Sequence, residues 1–142
     1  MDSIIKALPS LPATPGKTAT FHCEFHVREE DKALYEGVTV GIWQRGGIYL
    51  TLLTVTNEHN IVINPKLDTE GPEYIHRVHG YLSTNKTSNF SKVSVELTDV
   101  KESDERSYGC SMYFGPFRAP LGASVTIDVQ GKSGYLRSKC KH

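Results

Sequence analysis

Apolar and polar side chains alternate with a period of two through nearly every hydrophobic run of this chain, and the runs stop at Gly, Pro, Asn or Asp. That pattern predicts many short antiparallel strands, each burying one face. Residues 19–25 are the clearest case, with Ala19, Phe21, Cys23 and Phe25 on one face and Thr20, His22 and Glu24 on the other. Residues 4–11 are punctuated by Pro9, Pro12 and Pro15, so an edge strand is expected there, kinked ahead of a turn at Pro15-Gly16-Lys17. Residues 38–45 and 48–55 read as strands joined by a tight turn at Gly46-Gly47, and Ile61-Val62-Ile63 as a short strand before Asn64-Pro65. Further strands are predicted at 74–82, at 92–97 with Val93, Val95 and Leu97 inward, at 107–114, and at 123–129 with Val125, Ile127 and Val129 inward. The acidic stretch from Arg28 to Gly37 reads as a solvated loop and residues 115–120 as another loop, and no segment carries a helical stripe.

Length and composition bound what these strands can build. The 142 residues, 38% hydrophobic and 23% charged, suit one core. We expect an N-terminal segment with its edge strand at residues 1–11, a single domain at 12–130 and a flexible stalk or expression remnant at 131–142, with Cys140 as a free thiol. Lys plus Arg and Asp plus Glu both number 16, and no long basic run occurs, which argues against nucleic acid or a polybasic membrane patch as partner. No stretch approaches the roughly 20 apolar residues of a spanning helix, and the start is too short and polar for a secretory signal. A mature ectodomain fragment is expected, attached to membrane only through a downstream anchor. Asn85-Lys86-Thr87 and Asn89-Phe90-Ser91 are acceptor sequons for N-glycosylation.

The run from Leu97 to Cys110, with Asp104, Tyr108 and Cys110 in its second half, resembles the variable-set immunoglobulin pattern L-x-x-V followed by D-x-G-x-Y-x-C. Arg77-Val78-His79-Gly80 is similar to the R-F-S-G of that family, and Cys23 and Trp43 stand where it places its first cysteine and its core tryptophan. Arg106 departs from the pattern, where the family has a small residue, and only Gly122 remains of the F-G-x-G-T of rearranged receptors. The resemblance implies an all-β, two-sheet antiparallel sandwich of the V type with Greek-key connections. It further implies a Cys23–Cys110 disulfide formed in an oxidising compartment, Trp43 and Tyr108 as the core pin, and a structural salt bridge between Arg77 and Asp104.

With Trp43 read as pointing inward, period two sends Val38, Val40 and Ile42 to the outer face of their strand. Cys110, Met112 and Phe114 point inward in the strand opposite, which leaves Ser111 and Tyr113 outside. The expected partner-binding residues are therefore Val40, Ile42, Gln44, Tyr49, Ser111, Tyr113 and Phe117, an exposed apolar sheet face of the kind that marks protein interfaces. The sequons fall on the other sheet and leave this face bare. The function expected is extracellular recognition by a cell-surface receptor, with a second copy or a related receptor as protein partner and a weak homodimer in the first case. An accessory subunit of a channel or signalling complex and a soluble decoy are the other readings. No enzyme, cofactor or metal is expected. The chain has no G-x-S-x-G, H-E-x-x-H, P-loop or dinucleotide motif, and the acidic loop lacks the oxygen spacing of a calcium loop. His76 and His79 lie at an odd offset, and His22 and His26 would sit roughly 13 Å apart along a strand.

Overall fold

The computed structural model describes residues 2–8 and 10–130; the tail at 131–142, with Cys140, lies outside the described residues. The described strands are β1 (Ile4–Leu8), β2 (Ala19–His26), β3 (Gly37–Gln44), β4 (Gly47–Thr56), β5 (Ile61–Ile63), β6 (Val78–Asn85), β7 (Phe90–Leu97), β8 (Arg106–Tyr113) and β9 (Leu121–Ile127). They form two antiparallel sheets, ordered β1-β2-β7-β6 and β5-β4-β3-β8-β9. The chain changes sheet between β2 and β3, between β5 and β6 and between β7 and β8, and a disulfide joins Cys23 of β2 to Cys110 of β8. The protein is an immunoglobulin-like sandwich.

Cross-strand register explains the core. Residues directly opposite one another share a face, and the inward pairs are apolar on both sheets: Phe21 opposite Val95 and Cys23 opposite Val93 in one, Val38 opposite Met112 and Ile42 opposite Tyr108 in the other. All eight are buried. At roughly 1.5–3 kcal/mol for each fully buried large apolar side chain, this alternation is the main force holding the sheets face to face.

Three local features differ from the strand pattern read above. The strand expected from residue 74 begins at Val78, because Pro72 opens a 3-10 turn at Pro72–Tyr74 that carries Tyr74 into the core. A single helical turn, α1 (Leu67–Glu70), precedes it and buries only Leu67, too little for a stripe to register. The β3–β4 hairpin turns on Arg45 and Gly46, with φ of 53° and 79°, and closes on the Gln44–Gly47 pair, so it is centred one residue earlier than Gly46-Gly47.

The N-terminal segment serves both sheets. β1 pairs with β2, and after Pro12 the chain makes one parallel bridge to the other sheet, where Ala13 N donates to Asp128 O (2.8 Å) and Gln130 N donates to Ala13 O (2.7 Å). Val129 thus lies beyond β9, partly buried, while Ile127 is the fully buried member of its expected inward set. No helix among the described residues is long and apolar enough to cross a membrane.

Candidate binding surface

The phase of β3 decides which side chains the five-stranded sheet presents, and it is opposite to the one expected from Trp43. Val38, Val40 and Ile42 are at most 1% exposed and face Met112, Cys110 and Tyr108 in the core. Val40 and Ile42 are therefore not partner-binding residues, and Trp43 is not a core pin. Three β-branched side chains inward gain roughly 1.5–3 kcal/mol each, which outweighs what one indole gains, so the apolar triplet sets the phase.

Trp43 lies half-buried on the outer face, over two glycines. Gly109 sits between the inward Tyr108 and Cys110, so a Cβ there would point outward, and it would meet Trp43 Cε3 at 2.5 Å. A Cβ on Gly122 of the neighbouring β9 would meet Trp43 Cη2 at 2.6 Å. The indole lies flat across β8 and β9 because neither position carries a side chain. Around it the face is rich in small hydroxyl residues: Thr39 stands opposite both Ser111 and Thr54, and Ser107 Oγ lies 3.2 Å from Thr126 Oγ1.

The other expected contact residues divide. Gln44 is exposed, and Tyr49, at the second register shift of the β3–β4 pair, is 68% exposed. Tyr113 is half-buried on the outer face. Ser111 is buried, close enough to Gly122 that a Cβ there would lie 3.5 Å from its Oγ. Phe117, in the β8–β9 loop, is 100% exposed.

That loop is fixed by a carboxylate which the sequence pattern placed in solvent. Glu29–Asp31 forms a 3-10 turn in which Asp31 is 3% exposed. Arg118 Nη1 and Nη2 donate to Asp31 Oδ1 (2.8 Å) and Oδ2 (3.2 Å). Arg28 Nε and Ser3 Oγ also donate to Oδ2, at 2.9 and 2.6 Å. The fork-on-fork pair is the strong geometry for a charge-assisted contact. Hydrogen bonds from Arg118 first, then from Ser3 and Arg28, hold the Asp31 carboxyl well below the usual carboxylate range. The Arg118 guanidinium stacks 4.2 Å from the Phe114 ring. One carboxylate thus ties the N-terminal strand, the β2–β3 loop and the Phe117 loop together.

Arg77 and Asp104 form a second buried pair. Arg77 Nη2 donates to Asp104 Oδ2, and Arg77 also donates to the carbonyls of Thr98 (3.0 Å) and Glu73 (2.7 Å). Lys101 N donates to Asp104 Oδ2 at 2.9 Å, and Tyr108 OH donates to Asp104 O at 2.7 Å. This cluster is structural: its polar atoms are turned to one another.

Asn85 and Asn89 are exposed in the β6–β7 hairpin of the four-stranded sheet. Asn85 Oδ1 accepts from the amides of Thr87 (2.9 Å) and Ser88 (3.2 Å). Among the histidines, His22 Nδ1 lies 2.8 Å from Ser94 Oγ, and burial, with Lys92 second, lowers its imidazole below the ordinary value. His76 has φ of 62° and lies before β6 rather than in a strand. Among the described residues, no three His, Cys, Asp or Glu side chains gather as metal ligands would. Comparison with protein-family models finds no match, and comparison with curated proteins finds none either.

Proposed function

We propose that the chain is a variable-set immunoglobulin domain acting as an extracellular recognition module, which binds a second copy or a related cell-surface receptor through the outer face of the five-stranded sheet. The observation that carries this reading is Trp43, an indole kept half-exposed on that face over a glycine floor. Tryptophan and tyrosine are the side chains that dominate binding energy at protein interfaces, and Trp43, Tyr113 and Tyr49 offer three. Phe117 adds a fully exposed aromatic on a loop whose geometry Asp31 holds before any partner arrives, which lowers the ordering cost of association.

Other features support the setting. Two strands beyond the constant-type set, β4 and β5, extend the sheet as in variable-type domains. The Cys23–Cys110 bridge suits an oxidising compartment. Both sequons lie on the hairpin of the opposite sheet, so sugars there leave the proposed face open.

Sedimentation equilibrium over a wide concentration range tests the proposal. The wild type should self-associate weakly, and Tyr113→Asp should abolish association with little change in melting temperature. A carboxylate forced into a desolvated contact costs a few kcal/mol, whereas on the monomer it faces water. Thr20→Asp and Glu96→Lys, opposite one another on the other sheet, should have little effect. Association lost through the Thr20 or Glu96 change and kept in Tyr113→Asp would put the interface on the wrong sheet.

A further inference from the structure

A cavity of about 330 Å³ opens where four segments meet: the end of β2, the β2–β3 loop, the β4–β5 turn and the β6–β7 hairpin. Its volume is at the lower end for small-ligand sites, enough for one ring and too little for a chain of them. The lining is mixed in a specific way. Phe25 and Tyr35 supply apolar aromatic surface, and His26 at the end of β2 and Asn57 and His59 of the β4–β5 turn supply polar groups. Tyr35 is 7% exposed, and its hydroxyl is buried without a hydrogen-bond partner. A pyranose ring with an acetamido group matches such a lining, since it offers C–H faces to aromatic rings and hydroxyls and an amide to polar side chains.

The sixth lining residue of consequence is Asn89 itself, an acceptor sequon. Its backbone is held on both sides: Asn89 N donates to Asn85 O at 2.7 Å, and His26 Nδ1 donates to Asn89 O at 3.0 Å. Its φ of 63° is a left-handed conformation that asparagine tolerates. Its side chain makes no hydrogen bond among the described residues, whereas the Asn85 carboxamide is committed to its own turn.

We infer that Asn89 carries an N-linked glycan whose first N-acetylglucosamine occupies this cavity, closing the loop end of the sandwich. Transfer from a polyprenyl-pyrophosphate oligosaccharide forms the bond from sugar C1 to Asn89 Nδ2. It breaks the C1–O bond to the pyrophosphate, which leaves with its electron pair as Nδ2 gives up one proton. The inference rests on the extracellular part of the proposed function and is independent of which sheet binds a partner.

The test uses the full chain secreted from eukaryotic cells behind a cleavable leader, with glycopeptide mass spectrometry and enzymatic sugar release from the native and the unfolded protein. Asn89 should be occupied. Release from Asn89 should lag behind release from Asn85, or behind a denatured sample if Asn85 is bare, and the lag should vanish after unfolding. The glycosylated protein should melt above its Asn89→Gly variant, while the two melt alike, or the glycine variant melts slightly higher, when both are made in bacteria, because glycine accepts the same φ without strain. Thr87→Ala, which removes the other sequon, should leave the lag at Asn89 intact. An unmodified Asn89 in the secreted protein overturns the inference, as does a sugar released equally fast from native and unfolded chains. Neither result bears on self-association, which unglycosylated protein reports separately.

Discussion

Alanine at Gly122 probes the placement of Trp43 because the two positions meet only if the indole lies on the outer face. A Cβ at Gly122 would sit 2.6 Å from Trp43 Cη2 and 3.2 Å from Cζ3, and the indole, lying flat over Gly109, cannot swing away without losing that contact. Overpacking of this kind costs about 1–3 kcal/mol. Gly122 does not have a positive φ, so alanine suits its backbone. Once the indole is removed, the same change should be neutral or stabilise by about 0.4–1 kcal/mol, through the unfolded chain. The cycle of Gly122→Ala, Trp43→Ala and the double variant should therefore show a coupling of about 1–4 kcal/mol. Urea unfolding followed by far-UV circular dichroism measures it without needing the tryptophan signal. Ile42→Ala, which empties a fully buried site, should cost about 2–5 kcal/mol and exceed Trp43→Ala. Equal costs for Gly122→Ala in both backgrounds, or a Trp43→Ala loss larger than that of Ile42→Ala, would refute the phase assigned to β3.

Asp104→Ala should destabilise by about 3–5 kcal/mol in the same unfolding assay, since it leaves the buried Arg77 guanidinium without its charge partner; a loss under about 1 kcal/mol contradicts this. Folding holds the Asp31 carboxyl below its ordinary value, so the folded chain binds fewer protons there, and the stabilisation is present above about pH 4 and lost as pH falls further. The melting-temperature gap between wild type and Asp31→Asn should accordingly be constant near neutrality and narrow below that pH; a gap that widens on acidification has the wrong sign. Arg45→Asn should raise stability by about 0.5–1 kcal/mol in urea titration, because asparagine adopts the left-handed first position of the β3–β4 turn more readily than arginine; an unchanged or lowered midpoint speaks against that turn.

How far the sequence could be read depends on whether independent signals agreed on each strand. Along β8 and into Phe114 just past it, the alternation of Tyr108, Cys110, Met112 and Phe114 and the family pattern point the same way, and all four are buried. In β3 they conflict. The family pattern puts Trp43 inside, the apolar triplet Val38, Val40 and Ile42 puts it outside, and the triplet prevails on burial energy. The glycines at 109 and 122, each spaced to lie under a large side chain on the outer face, were the signal available in the sequence. Asp31 was unreadable for a different reason. A carboxylate flanked by Glu29, Glu30 and Lys32 looks solvated, and the guanidinium that buries it is 87 residues away. The turn at Arg45-Gly46 and the 3-10 turn at Pro72 shifted element ends by one to four residues, as local backbone chemistry does when the apolar alternation continues past it.

Acrylamide quenching of the single tryptophan across a protein concentration series tests the central claim most directly, because Trp43 is both the reporter and the proposed centre of the interface. In dilute solution the indole should be quenched more than a buried residue and less than free tryptophan. The quenching constant should fall as concentration drives the molecules together, and Tyr113→Asp should keep the monomer value throughout. An indole shielded already in the monomer, or one whose quenching stays constant while sedimentation shows association, would contradict the account.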